Sequence, residues 1–228
     1  DIYSIMMSET IDLNGSPAVI GRQSLQNSPN RIMKSLIEFL VVFTFLIPII
    51  LLTFFIAILI KIDSKGPVFF FQERVGKNLK PFRLVKFRTM KLNSDEILND
   101  TLKDPKVLHE WETFHKLTND PRLTRLGKWL RRFSLDELPQ IFNILRGEMS
   151  IIGPRPLVHD EILILGDYAN TIFRVKPGIT GWWQVNGRNN LTFEERTSLD
   201  LYYVFNWSLW LDIFILAKTF WVLLIKNK

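Results

Sequence analysis

Residues 39–60 read FLVVFTFLIPIILLTFFIAILI and contain no charged side chain. A run of this length and polarity can cross the hydrocarbon layer of a bilayer as an α-helix. Pro48 lies near its middle, where proline removes a backbone donor and kinks a helix. Cationic residues flank both ends of the run, namely Arg31, Lys34, Lys61 and Lys65. Because both flanks are positive, the positive-inside rule gives no orientation.

Three arrangements of this segment follow from these features. A helix broken at Pro48 that enters and leaves on the cytoplasmic side would satisfy both cationic ends, and we favour this re-entrant arrangement. A kinked helix that spans the bilayer is the second arrangement, because proline is tolerated in membrane helices. A buried core helix of a soluble protein is the third, and the length of the run argues against it.

Composition limits the function classes that remain. The chain of 228 residues carries a formal charge of +6, and 47% of its residues are hydrophobic. This combination suits membranes and phosphates, whereas no nucleic-acid-binding motif accompanies the charge. The chain has no cysteine and three histidines, which excludes disulfides and a Cys nucleophile and argues against a zinc site.

Outward from the apolar run the chain divides into three regions. Residues 1–30 are polar and resemble a linker or the tail of an upstream domain rather than a signal peptide. Residues 31–65 carry the membrane segment. Residues 66–228 carry the remaining motifs and end in an apolar, Trp-rich segment at 206–225, which we expect to form a helix at the membrane interface.

Two β-like runs follow the membrane segment, at residues 68–72 and 82–90, with a turn around Gly76 between them. They predict a β-hairpin. Period-two alternation places Lys86 and Arg88 on one face of the second strand, so that the two cations can act together.

Residues 123–133 show helical spacing of two kinds. Apolar residues recur on one face, and a second stripe of basic residues runs beside it, namely Arg122, Arg125, Lys128 and Arg131. Taken alone, such a stripe is as typical of a solvated surface as of a surface that meets an anionic membrane or a diphosphate.

The sequence SLDELPQ at residues 134–140 is the densest candidate for chemistry. Ser134 and Glu137 fit a capping box, and carboxylates near a helix start also favour its dipole, so helix capping explains the pattern. Catalysis on a diphosphate explains it as well, because Asp136 could attack phosphorus while Glu137 positions a metal ion or handles a proton. Mg²⁺ is the expected ion, since one or two carboxylates and substrate phosphates suffice to hold it.

Two later motifs offer further phosphate-binding or nucleotide-binding groups. In GPRP (residues 153–156) the prolines restrict the backbone around Arg155, which suits a rigidly aimed guanidinium as well as a simple tight turn. The glycine-punctuated run KPGITGWWQ (residues 176–184) is followed by Gly187 and Arg188 and could hold a nucleotide or merely turn the chain. No Walker loop or dinucleotide fingerprint is present.

Taken together and in order, five motifs resemble the polyprenyl-phosphate hexose-1-phosphate transferases, also called monotopic phosphoglycosyl transferases or bacterial sugar transferases. They are KFRTM (86–90), RRFSLDELPQ (131–140), GEMS (147–150), GPRP (153–156) and KPGITG (176–181). The resemblance runs from about Arg31 to the C-terminus. It is strongest to the undecaprenyl-phosphate galactose phosphotransferases, and the segments that carry this closer resemblance are WETFHKLTNDPR (111–122), GPRPLVHDE (153–161) and NWSLW (206–210).

The resemblance implies a reaction and a set of partners. A hexose-1-phosphate, galactose first and glucose or an N-acetylhexosamine as alternatives, would move from a UDP-sugar to undecaprenyl phosphate with release of UMP. The partners are then the nucleotide sugar, the lipid acceptor, the bilayer and optionally further copies of the chain. The expected location is the cytoplasmic face of the bacterial inner membrane, in O-antigen, capsule or exopolysaccharide synthesis. A transferase that releases UDP and a non-catalytic scaffold for glycan assembly are the alternatives.

The resemblance also implies residue roles. Asp136 resembles the nucleophile and Glu137 its acid/base partner, and the pair would help to bind Mg²⁺. Phosphate-facing positions are implied for Lys86, Arg88, Arg131 and Arg155, a nucleotide-sugar loop for Arg188, and the helix break for Pro48. The expected fold is α+β and mainly helical, with a re-entrant membrane helix, a small β-hairpin and interfacial helices.

Overall fold

The computed structural model describes residues 10–13, 16–19, 25, 28–114, 117–187 and 191–225. Within these ranges the fold is α+β and mainly helical, as predicted. The elements before the SLDELPQ segment are β1 (Thr10–Leu13), β2 (Ser16–Val19), α1 (Ser28–Asp63), β3 (Phe69–Val75), β4 (Pro81–Phe87), α2 (Ser94–Thr101), α3 (Pro105–Phe114) and α4 (Arg125–Arg132). A 3₁₀ helix (Leu135–Gln140) follows, and then α5 (Ile141–Leu145), β5 (Ser150–Ile152), α6 (His159–Leu165), α7 (Tyr168–Ile172), β6 (Gly178–Thr180), α8 (Trp182–Asn186), α9 (Phe193–Asn206) and α10 (Leu209–Ile225).

The strands form three two-stranded sheets, β1 with β2, β3 with β4 and β5 with β6. β3 and β4 confirm the predicted hairpin, although the first strand extends to Val75 and the second ends at Phe87. A single 3₁₀ turn at Lys77–Leu79 joins them. β5 and β6 are parallel, with Ser150 opposite Gly178 and Ile152 opposite Thr180.

Helix α1 is 36 residues long and contains the predicted apolar run with Pro48 inside it. It is the one helix in the described residues that is long and apolar enough to cross a membrane. Many of its large apolar side chains are exposed, with Phe43 65% and Ile47 72% accessible. An apolar surface of this extent indicates contact with lipid. The helix continues through Pro48, so entry and exit on the same side stays a prediction.

The chain divides into two compact units, whose boundaries fall inside α1, β3, β4 and the 3₁₀ helix. The first unit comprises Asp1–Leu46, Gln72–Leu84 and Gln140–Lys228, and the second comprises Ile47–Phe71 and Val85–Pro139. The second unit has a core in which Ile56 and Ile60 of α1 pack with Phe87 of β4 and Leu130 of α4. Burial of these apolar side chains holds the end of β4 and helix α4 together.

The larger unit contains a buried polar network beneath the start of α1. Lys34 donates to Asp212 of α10 at 2.6 Å and forms an ion pair with Glu38 at 2.8 Å. The Tyr203 hydroxyl and the Trp207 indole N–H also donate to Asp212, at 2.8 and 2.9 Å. This network anchors the start of α1 to the C-terminal helices. It gives Asp212 a structural role that could not be assigned from the sequence.

Helix α10 confirms the predicted C-terminal helix. It begins at Leu209, because α9 ends at Asn206 and Ser208 accepts the Leu211 amide through its hydroxyl. One side of α10 packs into the core through Ile215, whereas Trp210 is 79% exposed. This distribution suits a helix at a membrane interface, where tryptophan lies at headgroup level.

Candidate active site

The two adjacent carboxylates are presented by the 3₁₀ helix, in the second unit. With three residues per turn, Leu135 and Leu138 share one face, and both pack against the core of that unit. Asp136 and Glu137 therefore lie off the packed face, and both side chains are partly buried. The apolar spacing fixes the orientation of this short helix and leaves the carboxylates for other partners.

Glu137 is paired with a cation from the end of β4. Lys86 Nζ lies 2.6 Å from Glu137 Oε1, in an ion pair whose side chains are 24% and 31% exposed. The sequence predicted both residues for the site, but from separate motifs. The structure thus brings KFRTM and SLDELPQ together.

The capping box that Ser134 and Glu137 could form by their spacing is not made in the structure. Ser134 has a φ of 55°, a left-handed conformation rather than the extended one of an N-cap residue. Its N–H donates to the Arg131 carbonyl at 3.2 Å, whereas a capping box would direct that N–H to the Glu137 carboxylate. Glu137 binds Lys86 instead, which removes the purely local explanation of this carboxylate.

Asp136 lies in an environment that disfavours its charged form. Burial raises the pKa of Asp136 to about 6, and the neighbouring Glu137 carboxylate adds to the increase. The charges of Lys86 and Arg131 act in the opposite direction and lower the pKa. A carboxyl with this pKa is still mostly ionised at neutral pH and is more basic than an exposed aspartate, as a nucleophile requires.

Arg131 is held by a contact that the sequence analysis missed. Its Nε donates to the Thr89 hydroxyl at 3.0 Å, while the Thr89 carbonyl accepts the Thr124 amide at the start of α4. Gly127 allows this close approach, because a Cβ at that position would lie 2.1 Å from the Thr89 carbonyl oxygen. The glycine inside the basic stripe was the available signal, since glycine within a helix often marks close backbone packing.

Arg88 does not accompany Lys86 towards the carboxylates. It is 6% exposed, and its guanidinium donates to the Lys65 carbonyl at 2.6 Å and to the Ser64 carbonyl at 2.9 Å. These carbonyls follow the end of α1, where a cation stabilises the helix dipole. The phosphate-facing role stays a prediction for Arg88, and the contacts that it makes here are to the membrane helix.

The donor set at this site fits Mg²⁺. The described residues contain no group of three or more His, Cys, Asp or Glu side chains that could hold a metal ion. Mg²⁺ nevertheless needs only one or two protein carboxylates when substrate phosphates and water complete its octahedron. Asp136 and the Oε2 atom of Glu137, whose Oε1 binds Lys86, would supply these ligands.

Arg155 belongs to the first unit and has its own neighbours there. It is exposed, and its guanidinium lies 5.8 Å from the centre of the buried Trp183 ring, while that of Arg196 lies 5.1 Å from the same ring. Burial raises the pKa of Asp200 well above its usual range, and the backbone N–H and the charge of Arg155 act in the opposite direction.

Asp200, whose role the sequence left open, is therefore a buried carboxyl beside GPRP. Trp183 and Arg196 were not predicted for this neighbourhood. Arg188, predicted for the nucleotide-sugar loop, lies outside the described residues.

Comparison of the sequence with known proteins assigns the chain to a family. Residues 29–226 match the model of the bacterial sugar transferases. The chain is 42% identical over 228 residues to an uncharacterized sugar transferase of Haemophilus influenzae, covering 98% of this chain and 46% of that protein. It is 44% identical over 193 residues to the UDP-galactose-lipid carrier transferase of Erwinia amylovora, covering 84% of this chain and 40% of the relative.

A third relative is the undecaprenyl-phosphate galactose phosphotransferase of Salmonella typhimurium. The identity is 48% over 163 residues, which cover 71% of this chain and 34% of that protein. The chain thus spans less than half of the length of these three relatives.

Proposed function

Because the chain belongs to the bacterial sugar transferase family, as its motifs indicated, we propose that it transfers a hexose-1-phosphate from a UDP-sugar to undecaprenyl phosphate. The names of two relatives support this proposal, one a UDP-galactose-lipid carrier transferase and the other an undecaprenyl-phosphate galactose phosphotransferase. Galactose is accordingly the proposed sugar. Glucose and N-acetylhexosamines are the alternatives to be tested beside it.

We propose a reaction in two displacements. A carboxylate oxygen of Asp136 attacks the β-phosphorus of the UDP-sugar, and the bond from that phosphorus to the bridging oxygen breaks. UMP leaves, and the sugar-phosphate stays on Asp136 as an acyl phosphate. An oxygen of undecaprenyl phosphate then attacks the same phosphorus, which restores the Asp136 carboxylate and yields the lipid diphosphate sugar.

The neighbours of Asp136 have complementary parts in this scheme. Lys86 and Arg131 carry positive charge beside Asp136 and would stabilise the charge that develops on the phosphoryl oxygens. Glu137, held by Lys86, would orient the donor and handle a proton. Mg²⁺, held by Asp136 and Glu137, would neutralise diphosphate charge when bound.

The observation that carries the proposal is the pairing of the two motifs at one site. A partly buried Asp136 with a raised pKa lies beside the Lys86–Glu137 ion pair and within the field of Arg131. A capping role requires none of these partners. Covalent attack on a diphosphate requires a basic carboxylate and nearby cations, and this site supplies both.

We further propose that the protein works at the cytoplasmic face of the bacterial inner membrane. The exposed apolar surface of α1 and the tryptophan-bearing surface of α10 support membrane contact. The UDP-sugar is a soluble, charged donor and the acceptor is a lipid, so the reaction needs a site that both can reach. Re-entry of α1 through Pro48 would keep both ends of the helix on the donor's side.

Mass spectrometry tests the covalent step directly. Detergent-solubilised protein is incubated with UDP-galactose and Mg²⁺ without acceptor, and wild type is compared with Asp136→Asn. We expect a hexose-phosphate adduct on the Asp136 peptide, together with UMP, in wild type only. UDP-glucose and UDP-N-acetylglucosamine in parallel reactions identify the sugar.

Other outcomes would reject the proposal. Release of UDP rather than UMP would indicate transfer of the sugar alone. Turnover by Asp136→Asn with acceptor present would show that Asp136 is not the nucleophile. No turnover with any UDP-sugar and acceptor would favour a scaffold in glycan assembly.

A further inference from the structure

A basic pocket lies in the first unit beside the start of α1, among residues that take no part in the site around Asp136. Its lining includes four cations, Arg31 and Lys34 from α1, Lys77 from the 3₁₀ turn between β3 and β4, and Lys176 before β6. The Ser35 hydroxyl also borders it. These cations come from three separate stretches of the chain, so the fold itself assembles the cluster.

Protein carboxylates in the described part of the chain pair with Lys34 but not with Lys77 or Lys176. Lys34 has two carboxylate partners, Glu38 at 2.8 Å and Asp212 at 2.6 Å, so its charge is neutralised. Within the described part of the chain, no carboxylate lies within ion-pair distance of Lys77 or Lys176, and both side chains are half-buried. Burial and the charges of Arg31 and Lys176 lower the pKa of Lys77.

Like charges held together in a partly buried pocket repel one another unless an anion is bound. The preferred ligands of such a cluster are anions with several oxygens that accept charge-assisted hydrogen bonds. A phosphate group fits this requirement.

The surroundings of the basic pocket indicate where the phosphate comes from. Ile32 and Leu36 lie on the same turns of α1 as Arg31 and Ser35 and are each 60% exposed. The pocket therefore borders the apolar surface that we assign to lipid. Cations at this level of a membrane helix lie among the phospholipid headgroups.

We propose that the basic pocket binds the phosphate of an anionic phospholipid headgroup. Lys77 and Lys176 provide the charge, and Arg31 and Ser35 border the bound phosphate. The site is distinct in its residues from the one that handles the donor diphosphate. It would fix the depth and rotation of the larger unit at the membrane surface, because a headgroup site adds a defined contact to the non-directional burial of α1.

Native mass spectrometry of the full chain tests this proposal. The protein is reconstituted into nanodiscs of phosphatidylglycerol and phosphatidylcholine in equal parts, and the lipids that stay bound on release are counted. We expect wild type to retain phosphatidylglycerol preferentially. The double variant Lys77→Ala/Lys176→Ala should lose this preference by about tenfold or more, because each lysine contributes a charge-assisted hydrogen bond.

Matched controls separate the site from general surface charge. Lys80→Ala/Lys106→Ala removes the same charge from exposed positions and should leave lipid retention unchanged. Lys77→Arg/Lys176→Arg keeps the charge and should restore retention. Equal retention of phosphatidylglycerol by wild type and the alanine variant would overturn the proposal.

A second arm distinguishes a lipid phosphate from a soluble one. Inorganic phosphate is added to detergent-solubilised protein at constant ionic strength, and the Tm is compared with that in chloride. Stabilisation by phosphate that depends on Lys77 and Lys176, without any lipid preference, would overturn the headgroup assignment. The inference rests on the membrane contact of α1 but not on transferase activity, since every readout is lipid retention or Tm.

Discussion

At the scale of single residues, Asp136 combines two demands that oppose each other. The proposed nucleophile must be ionised, yet burial and the Glu137 carboxylate favour the protonated form and raise the pKa of Asp136 to about 6. Lys86 and Arg131 limit the increase. The ionised site is therefore less stable than a neutral one would be, which is a common feature of catalytic groups.

Asp136→Asn should stabilise the folded protein at neutral pH. The native pKa exceeds the unfolded value, so the stability associated with the proton is present below about pH 4 and is lost as pH rises through about 6. At pH 7.5 and in chelator, we expect the variant to be more stable by about 3 kcal/mol, with the difference shrinking towards pH 5. Thermal unfolding of both proteins at pH 5 to 8 measures this, and a variant that is less stable at every pH would contradict it.

Lys86→Met should shift the pH dependence of the proposed first displacement. The lysine charge lowers the pKa of Asp136, so its removal raises that pKa and moves the acidic limb of the rate profile to higher pH. We also expect a loss of about 100-fold in rate, typical for removal of a charge that stabilises a transition state. Initial rates of UMP release measure both effects. Lys86→Arg should keep the wild-type limb, whereas an unshifted profile in Lys86→Met would show that Lys86 acts only on Glu137.

At the scale of secondary-structure elements, the site depends on how α4 meets the end of β4. Gly127 lies against the Thr89 carbonyl, and the same threonine binds the Arg131 side chain through its hydroxyl. The Thr124 hydroxyl caps α4 by accepting the Gly127 amide at 2.9 Å. The contacts at the start of α4 thus fix the position of Arg131, which lies two turns later in the same helix.

Gly127→Ala should displace α4 from the segment that follows β4. The added Cβ would meet a backbone oxygen, which cannot turn aside, so we expect a loss of about 2 kcal/mol in stability and a clear fall in activity. Chemical unfolding and UMP release provide the two readouts. Lys128→Ala, an exposed neighbour on the same helix, is the matched control and should change neither by much. Wild-type stability and activity of Gly127→Ala would show that α4 can shift without affecting the site.

Asp212→Ala should destabilise the larger unit. It leaves the Lys34 ammonium, the Tyr203 hydroxyl and the Trp207 indole without their shared acceptor, and loss of one partner of a buried ion pair costs about 3–5 kcal/mol. Thermal unfolding in detergent checks this against Asp160→Ala, which removes an exposed carboxylate. A loss no greater than that of the control would show that water replaces Asp212 readily.

The sequence predicted what local patterns encode. The run without charged residues predicted α1, and the β-like runs predicted the hairpin to within a few residues. Both patterns depend only on residues close together in the sequence. The capping box failed because Lys86 competes for Glu137 from 51 positions away, and no local pattern contains that partner. The orientation of Arg88 and the role of Asp212 were beyond prediction for the same reason.

At the scale of the whole molecule, α1 and α10 each expose apolar side chains that water would not favour. The side of the membrane on which α1 ends remains a prediction. The absence of cysteine from the sequence makes that prediction easy to test, because each introduced cysteine is the sole labelling site.

Single cysteines at Ile32 and Lys65 should react with an impermeant maleimide from the same side of sealed vesicles. Re-entry through Pro48 places both ends of α1 on the cytoplasmic side, whereas a spanning helix places them on opposite sides. A cysteine at Phe45 should be protected from the reagent by lipid. Labelling of the two ends from opposite sides would show that α1 spans the membrane and does not re-enter.

The link between Lys34 and Asp212 also bears on biogenesis. The two residues are 178 positions apart, and a bacterial ribosome needs roughly 10 to 35 s to synthesise that interval. During most of that time the apolar helix has already left the ribosome. Of the buried polar network, only Lys34 and Glu38 have been synthesised, so they can pair only with each other. Insertion of the helix and completion of its polar anchor are therefore separate events in time, and nascent chains halted before Asp212 should be prime substrates for quality-control proteases.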